Sequence, residues 1–289
     1  MDLTSPNSIG ALREKQSSWS NSLQAHWPEY LMEAVELGLF MLFACLFTAL
    51  LFHPESPIGA GISSEHLRRA LMGLAMGSSA IAIIFSPIGK RSGAHFNPAV
   101  TLTYLRLSKV RPWDAAFYTL FQFGGGIAGV ALASLVLPNV INHPKVNYAV
   151  TVPGDHGLLL AFTAEVLISF VLMAVILTVS NTKRLGRWTG LFAGTLVATY
   201  IALESPISGM SMNPARTFGS AFASRTWRAL WIYFTAPPLG MLLAAELFLR
   251  QRGLQRVFCA KLNHRNDKRC IFRCNFGALS APGQEDEQS

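Results

Sequence analysis

Ser92-Gly93-Ala94-His95-Phe96-Asn97-Pro98-Ala99-Val100-Thr101 and Ser208-Gly209-Met210-Ser211-Met212-Asn213-Pro214-Ala215-Arg216-Thr217 are the two stretches that decide the fold. Ser-Gly, Asn-Pro-Ala and Thr recur at matched places 116 residues apart, from 97 to 213. Asn is a favoured helix cap and Pro fits the first helical turn, so each motif predicts a helix start. The apolar runs that follow are short, 99–105 and 215 to about 222. At 1.5 Å per residue, eight residues reach only about 12 Å, far less than the roughly 30 Å of a bilayer core. Irregular backbone at membrane depth is tolerated only where protein buries it or it lines a wet cavity. Two half-helices dipping in from opposite faces and meeting at their N-termini satisfy that condition.

Working outward, six apolar segments flank the motifs: 30–52, 70–86, 113–137, 158–179, 188–203 and 229–249. Each half holds three of them, so the second half must run through the membrane in the opposite sense. Inverted repeats of this kind place a solute path near the midplane, at the repeat interface. Gly73-x-x-x-Gly77 and Gly190-x-x-x-Gly194 lie 117 residues apart, which leaves one extra residue in the first half, within 87–91. Their placement predicts that segments two and five cross closely against the half-helices. The expected organisation is a tail at 1–28, a channel domain at 29–250 with repeats at about 29–137 and 157–250, and a basic tail at 251–289. The polar start and the acidic end at 283–289 both read as mobile.

Composition agrees with a membrane protein. Of 289 residues, 51% are hydrophobic and 14% charged, against about 25% charged in soluble proteins. The net charge of +8 has a simpler cause than nucleic acid, because cytoplasmic loops are rich in Lys and Arg. Lys90, Arg91, Arg106, Lys109, Arg111, Lys183, Arg184 and Arg187 fall in loops on the side of both termini, and 250–273 is strongly basic. Both termini are therefore expected in the cytoplasm, with the chain integral to the plasma (inner) membrane. Arg216 breaks the charge rule and needs a special reason.

Two helix N-termini facing the pore centre carry roughly half a positive charge each, which repels protons and other cations. An Asn cap spends its side-chain oxygen on helix N–H groups and leaves its NH2 free to donate to a passing solute. Both loops closely resemble the signature loops of the aquaporin, or major intrinsic protein, family, and the resemblance covers about 30–250. It implies an all-α membrane fold of six spanning helices and two re-entrant half-helices, with a homotetramer carrying one pore per subunit. It also implies an arginine constriction, which would account for Arg216. In the family one Glu in each of helices one and four braces the half-helix loops, which points here to Glu33 and Glu165 rather than to proton transport by Glu33, Glu36 and Glu165. The family's constriction maps onto Met76, Ile201, Met210 and Arg216. Water-selective members usually carry Phe and His where this chain has Met76 and Ile201, so the filter departs from that pattern and argues for small polyols or similar solutes. Thr217, Ala221, Tyr233 and Phe234 resemble the water-channel set instead.

The sequence thus predicts a passive pore for water and small neutral solutes, bordered by lipid. The alternatives are a facilitator for a small polyol or metalloid hydroxide with little water flux, and an ion-coupled transporter. A transporter needs buried charges for its coupling ion, and this interior is nearly free of them. No nucleophile–base motif or phosphate loop points to an enzyme, and the pore needs no cofactor. His95 reads as pore lining or packing, without a metal. One cluster stands apart: Cys259, His264, Cys270 and Cys274 could ligate zinc tetrahedrally. The competing reading places Arg256, Lys261 and Arg265 on lipid headgroups, with unrelated cysteines. Cys45, in segment one, reads as packing.

Overall fold

A computed structural model describes residues 18–276. Eight principal helices follow one another: α1 (Trp19–Phe52), α2 (Glu65–Phe85), α3 (Pro98–Arg106), α4 (Pro112–Val136), α5 (Leu158–Ser180), α6 (Thr189–Leu203), α7 (Pro214–Ser224) and α8 (Leu230–Arg252). No strand occurs among the described residues. Helices α1, α2, α4, α5 and α8 are each long and apolar enough to cross a bilayer. Helix α6 has only 15 residues, and short turns at Gly186–Trp188 and Ser205–Ser208 extend it at either end.

The packing repeats as the sequence does. Helix α1 lies on α4 and α5 lies on α8, while half-helix α7 rests on α4 and α3 rests on α8. Helices α2 and α6 pack on each other, which makes the two halves one body. The glycine pairs serve that last contact and not the half-helices as expected. A Cβ on Gly77 would sit 2.5 Å from the Gly194 carbonyl oxygen and 2.7 Å from Ala198 Cβ. Close approach to a half-helix falls instead to Gly126 on α4, whose added Cβ would lie 2.8 Å from the Ala215 carbonyl oxygen. Gly77→Ala should therefore destabilise the protein by about 1–3 kcal/mol, since backbone cannot yield as a side chain can. Gly124, with nothing within 4 Å of an added Cβ, is the control. Thermal denaturation in detergent should separate the two alanine variants, and equal melting temperatures would refute the close-packing argument.

The N-terminal boundary at 28 was placed too late, because α1 starts at Trp19 and carries Pro28 inside it. Polar contacts, invisible to a hydropathy pattern, hold its first turns. His26 Nδ1 lies 2.8 Å and the Tyr30 hydroxyl 2.6 Å from Asp114 Oδ1, and Arg91 Nε donates to Glu29 Oε1 at 2.9 Å. Arg269 also reaches Glu29, at 3.9 Å, so both ends of the described chain share one face, called here the terminal face. The remainder of the N-terminal tail, 1–17, and the acidic end, 283–289, lie outside the described residues. The stretch 257–276 is not a free tail, and of the basic residues Arg256, Lys261 and Arg265 the second is buried while Arg265 is exposed. The stretch folds back beneath the helices and buries Val257, Cys259, Ala260, Lys261 and Leu262.

Candidate pore site

Each Asn-Pro-Ala motif opens a half-helix. Asn97 Oδ1 accepts from Ala99 N at 2.9 Å, and Asn213 Oδ1 accepts from Ala215 N at 3.0 Å and Arg216 N at 3.2 Å. The amide nitrogens are not wholly free, contrary to expectation. Asn97 Nδ2 donates to the Met212 carbonyl at 2.7 Å, and Asn213 Nδ2 donates to the Phe96 carbonyl at 2.7 Å. The two loops thus clasp each other reciprocally. A carboxamide NH2 has two hydrogens, so each Asn retains one N–H for the cavity that both line.

The loops before the caps are costly to build. Ala94, Phe96, Met210 and Met212 all have positive φ, between 31° and 58°, in two pairs 116 residues apart. Left-handed non-glycine residues cost on the order of 1–3 kcal/mol each unless their surroundings hold them. Buried carboxylates supply acceptors there. Glu33 accepts from His95 N at 2.9 Å, Phe96 N at 2.6 Å and Gln122 Nε2 at 2.7 Å. Glu165 accepts from the Ser208 hydroxyl at 2.8 Å, Ser211 N at 2.6 Å and Met212 N at 2.8 Å. Glu36 accepts from the Ser92 hydroxyl at 2.6 Å. Tyr118 and Tyr233 complete the two halves by donating to the carbonyls of Ser92 and Ser208, at 2.6 and 2.5 Å. Sequence reasoning missed Gln122 and Tyr118. The 115-residue spacing of Tyr118 and Tyr233 was the signal for the latter, and Gln122 has no counterpart to flag it.

One cavity of about 450 Å³ runs past these elements. Met76, Ile201, Met210 and Arg216 all line it, as do Asn97, Asn213 and His95. Most of the remaining wall is apolar, with Phe40, Val100, Leu172 and Val197 among its residues. Arg216 Nη1 is buried and makes no hydrogen bond within the protein, so a guanidinium donor is left for a solute oxygen. Arg69 and Lys145 stand at the mouth away from the terminal face, and Leu262 stands at the other end. His95 is clamped between Tyr104 and Phe272, stacked on both with centroids 5.2 and 5.4 Å away. Its Nε2 donates to the Ala260 carbonyl at 2.8 Å.

Away from the pore, Cys259, His264, Cys270 and Cys274 converge, with all four candidate ligand atoms within 4.8 Å of one another. Hydrogen bonds from Cys259 and Cys270, joined by one from His264, hold the Cys274 thiol well below its usual range, whereas burial pushes Cys259 up. Burial works to lower the His264 imidazole, but hydrogen bonds with Cys270 and Cys274 outweigh it and push it up to about 9. Cys45 is buried in α1 and is a free thiol.

Comparison with known proteins bears on this geometry. Residues 19–248 match the family model described as "Major intrinsic protein". Aquaporin NIP2-1 of Oryza sativa subsp. japonica is 39% identical over 190 residues, 64% of this chain and 61% of that one. Aquaporin NIP6-1 of Arabidopsis thaliana is 38% identical over 170 residues, 58% of this chain and 54% of its own length. The chain therefore spans between half and two thirds of the length of these relatives. Among solved structures, the aquaglyceroporin from Plasmodium falciparum superposes with a TM-score of 0.63 at 21% identity, covering 77% of this chain and 95% of that one. The match over residues 19–248 shows that this chain belongs to the major intrinsic protein family.

Proposed function

We propose that the chain forms a passive pore for water and small neutral solutes and excludes ions and protons. The observation that carries this reading is the reciprocal clasp at the cavity's centre. It sets two helix N-termini and one N–H from each Asn against the solute path. Helix dipoles and Arg216 disfavour cations there, while the remaining donors can replace part of a neutral solute's hydration. Lys and Arg crowd the terminal face, from Lys90 and Arg91 through Lys183 to Arg273, against Arg68, Arg69, Lys145, Arg225 and Arg228 on the other. That bias favours both termini in the cytoplasm of a plasma (inner) membrane. By family, the assembly is a homotetramer with one pore per subunit, which mass measurement in native detergent micelles tests.

The filter argues for more than water. Met76 and Ile201 bring flexible and branched apolar groups where a water-selective member has Phe and His, so the constriction is adaptable and has few polar groups. Uncharged polyols, or hydroxides of similar size, fit a wall with one donor side and one apolar side. Stopped-flow measurement on proteoliposomes with water, glycerol and urea separates the readings. Ile201→His should lower glycerol flux several-fold while water flux is largely kept, because the imidazole narrows the constriction and adds a polar group. A wild type that conducts water fast and excludes both solutes would sink the wide-filter reading. Glycerol flux with little water flux would favour the facilitator.

A further inference from the structure

Residues 257–276 lie outside the inverted repeat, yet they pack into its base. Leu262 lines the pore cavity at its terminal-face end, and its N–H donates to the Gly93 carbonyl at 3.1 Å. Around it, Ala260 accepts from His95, Phe272 stacks on His95, Phe258 N donates to Asn181 Oδ1 at 2.6 Å, and Arg273 N donates to the Lys109 carbonyl at 2.9 Å. The stretch has almost no regular secondary structure. Ordering such a chain costs on the order of 1–2 kcal/mol per residue, and a local cross-link would offset much of that.

The side chains for one are in place. Cys259 and Cys270 have their sulfurs 3.5 Å apart, and Cys274 Sγ lies 3.0 Å from His264 Nε2. A tetrahedral zinc with Zn–S near 2.3 Å sets ligand atoms about 3.5–3.8 Å apart, so small adjustments close the site. Phe276 holds the His264 ring by stacking at 4.3 Å, and its N–H donates to Cys274 Sγ at 3.4 Å. Three thiolates, one neutral imidazole and Zn²⁺ sum to one negative charge. The buried lysines Lys109 and Lys261 lie close enough to the thiols to offset it. Lys261 Nζ also donates to the carbonyls of Lys268 and Arg269, at 3.0 and 2.7 Å, closing the loop that carries the ligands. A disulfide would join two of the three thiols and strand the third beside the imidazole.

We propose that Cys259, His264, Cys270 and Cys274 bind one zinc ion, and that this ion locks 257–276 across the terminal-face mouth with Leu262 in the pore, making the metal-loaded protein the low-flux form. Binding releases the thiol protons to solvent and changes no oxidation state. The lock rests on the pore reading above, and metal content is read independently of it.

The test uses the full chain, purified without chelator and reconstituted. Elemental analysis should give about one zinc per chain. His264→Ala should lose most of it, while His264→Cys, which leaves a four-cysteine site, should retain it. Stripping zinc from wild-type proteoliposomes with a membrane-permeant chelator should raise solute flux several-fold, and zinc should restore the low rate. Leu262→Gly should retain zinc, conduct fast and ignore the chelator. Substoichiometric zinc in the wild type, or a disulfide in its place, would overturn the proposal. So would unchanged flux after stripping in vesicles where Leu262→Gly conducts freely. Absence of flux in every form, Leu262→Gly included, would remove the pore reading itself and the lock with it. Chelation of the wild type needs no variant, so a misfolded mutant does not leave the question open.

Discussion

Glu165→Ala should lower the melting temperature by roughly 10 °C and remove most of the solute flux. The carboxylate is fully buried and takes three hydrogen bonds from the loop before the second cap, from the Ser208 hydroxyl and from Ser211 N and Met212 N. Alanine supplies no acceptor, and water does not replace one in a packed interior. Each orphaned buried donor costs about 1–3 kcal/mol, so the loss from three is on the order of 3–9 kcal/mol. Geometry suffers as well. Met210 and Met212 are held at φ of 52°, and release of that strain lets the loop relax away from the clasp in which the Met212 carbonyl receives Asn97 Nδ2. Glu165→Gln should be milder. Its one carbonyl oxygen can still accept two of the three bonds, but its NH2 faces a third donor. The order wild type, Gln, Ala should hold in both melting temperature and flux. An alanine variant with wild-type values in both would show that the loop holds itself.

Much of this architecture was legible because the membrane enforces it. A spanning helix must bury or face lipid with nearly every residue, so its apolar run marks it out, and α2, α4, α5, α6 and α8 begin and end within a few residues of the apolar runs, apart from the earlier start of α2. The half-helices were legible because cap and proline chemistry are local. What escaped the sequence was decided between distant residues. Helix α1 gains three turns from His26, Glu29 and Tyr30 pairing with Asp114 and Arg91, and a polar stretch gives no sign of such partners. The glycine pairs announce close packing without naming the partner, and the partner of α2 proved to be α6. Basic residues in 250–273 read as a membrane-facing tail, yet Lys261 is buried and bound to carbonyls within its own loop. Asn97 and Asn213 cap their half-helices as local chemistry dictates, but the partner of each amide nitrogen is not legible, because a clasp between two loops 116 residues apart has no signature in either one.

That clasp supplies the second large prediction, for Asn97→Asp. Aspartate caps a helix as well as asparagine does, so the bond now made to Ala99 N survives and the half-helix should remain. Two other things change. The group facing the Met212 carbonyl, now a donor at 2.7 Å, becomes an acceptor, and two oxygens repel where one N–H had bridged them. A unit negative charge also enters at the meeting point of two helix N-termini, against roughly half a positive charge from each. A cation about 4 Å from that carboxylate gains about 4 kcal/mol at an effective dielectric of 20. A barrier lowered by that much admits ions on the order of a thousandfold faster. Water and solute flux should fall several-fold, since a donor is lost and the loops part. The protein should still fold, because the cap survives, with a melting temperature lowered by only a few degrees for the one lost buried bond, and the cation leak distinguishes this variant from Glu165→Ala. Asn213→Asp should behave alike, because its Nδ2 holds the Phe96 carbonyl in the mirrored bond. Planar-bilayer current in potassium or sodium chloride, beside stopped-flow permeability, reads both effects. Wild-type permeability with no cation current in either variant would mean that neither the clasp nor the paired dipoles govern passage.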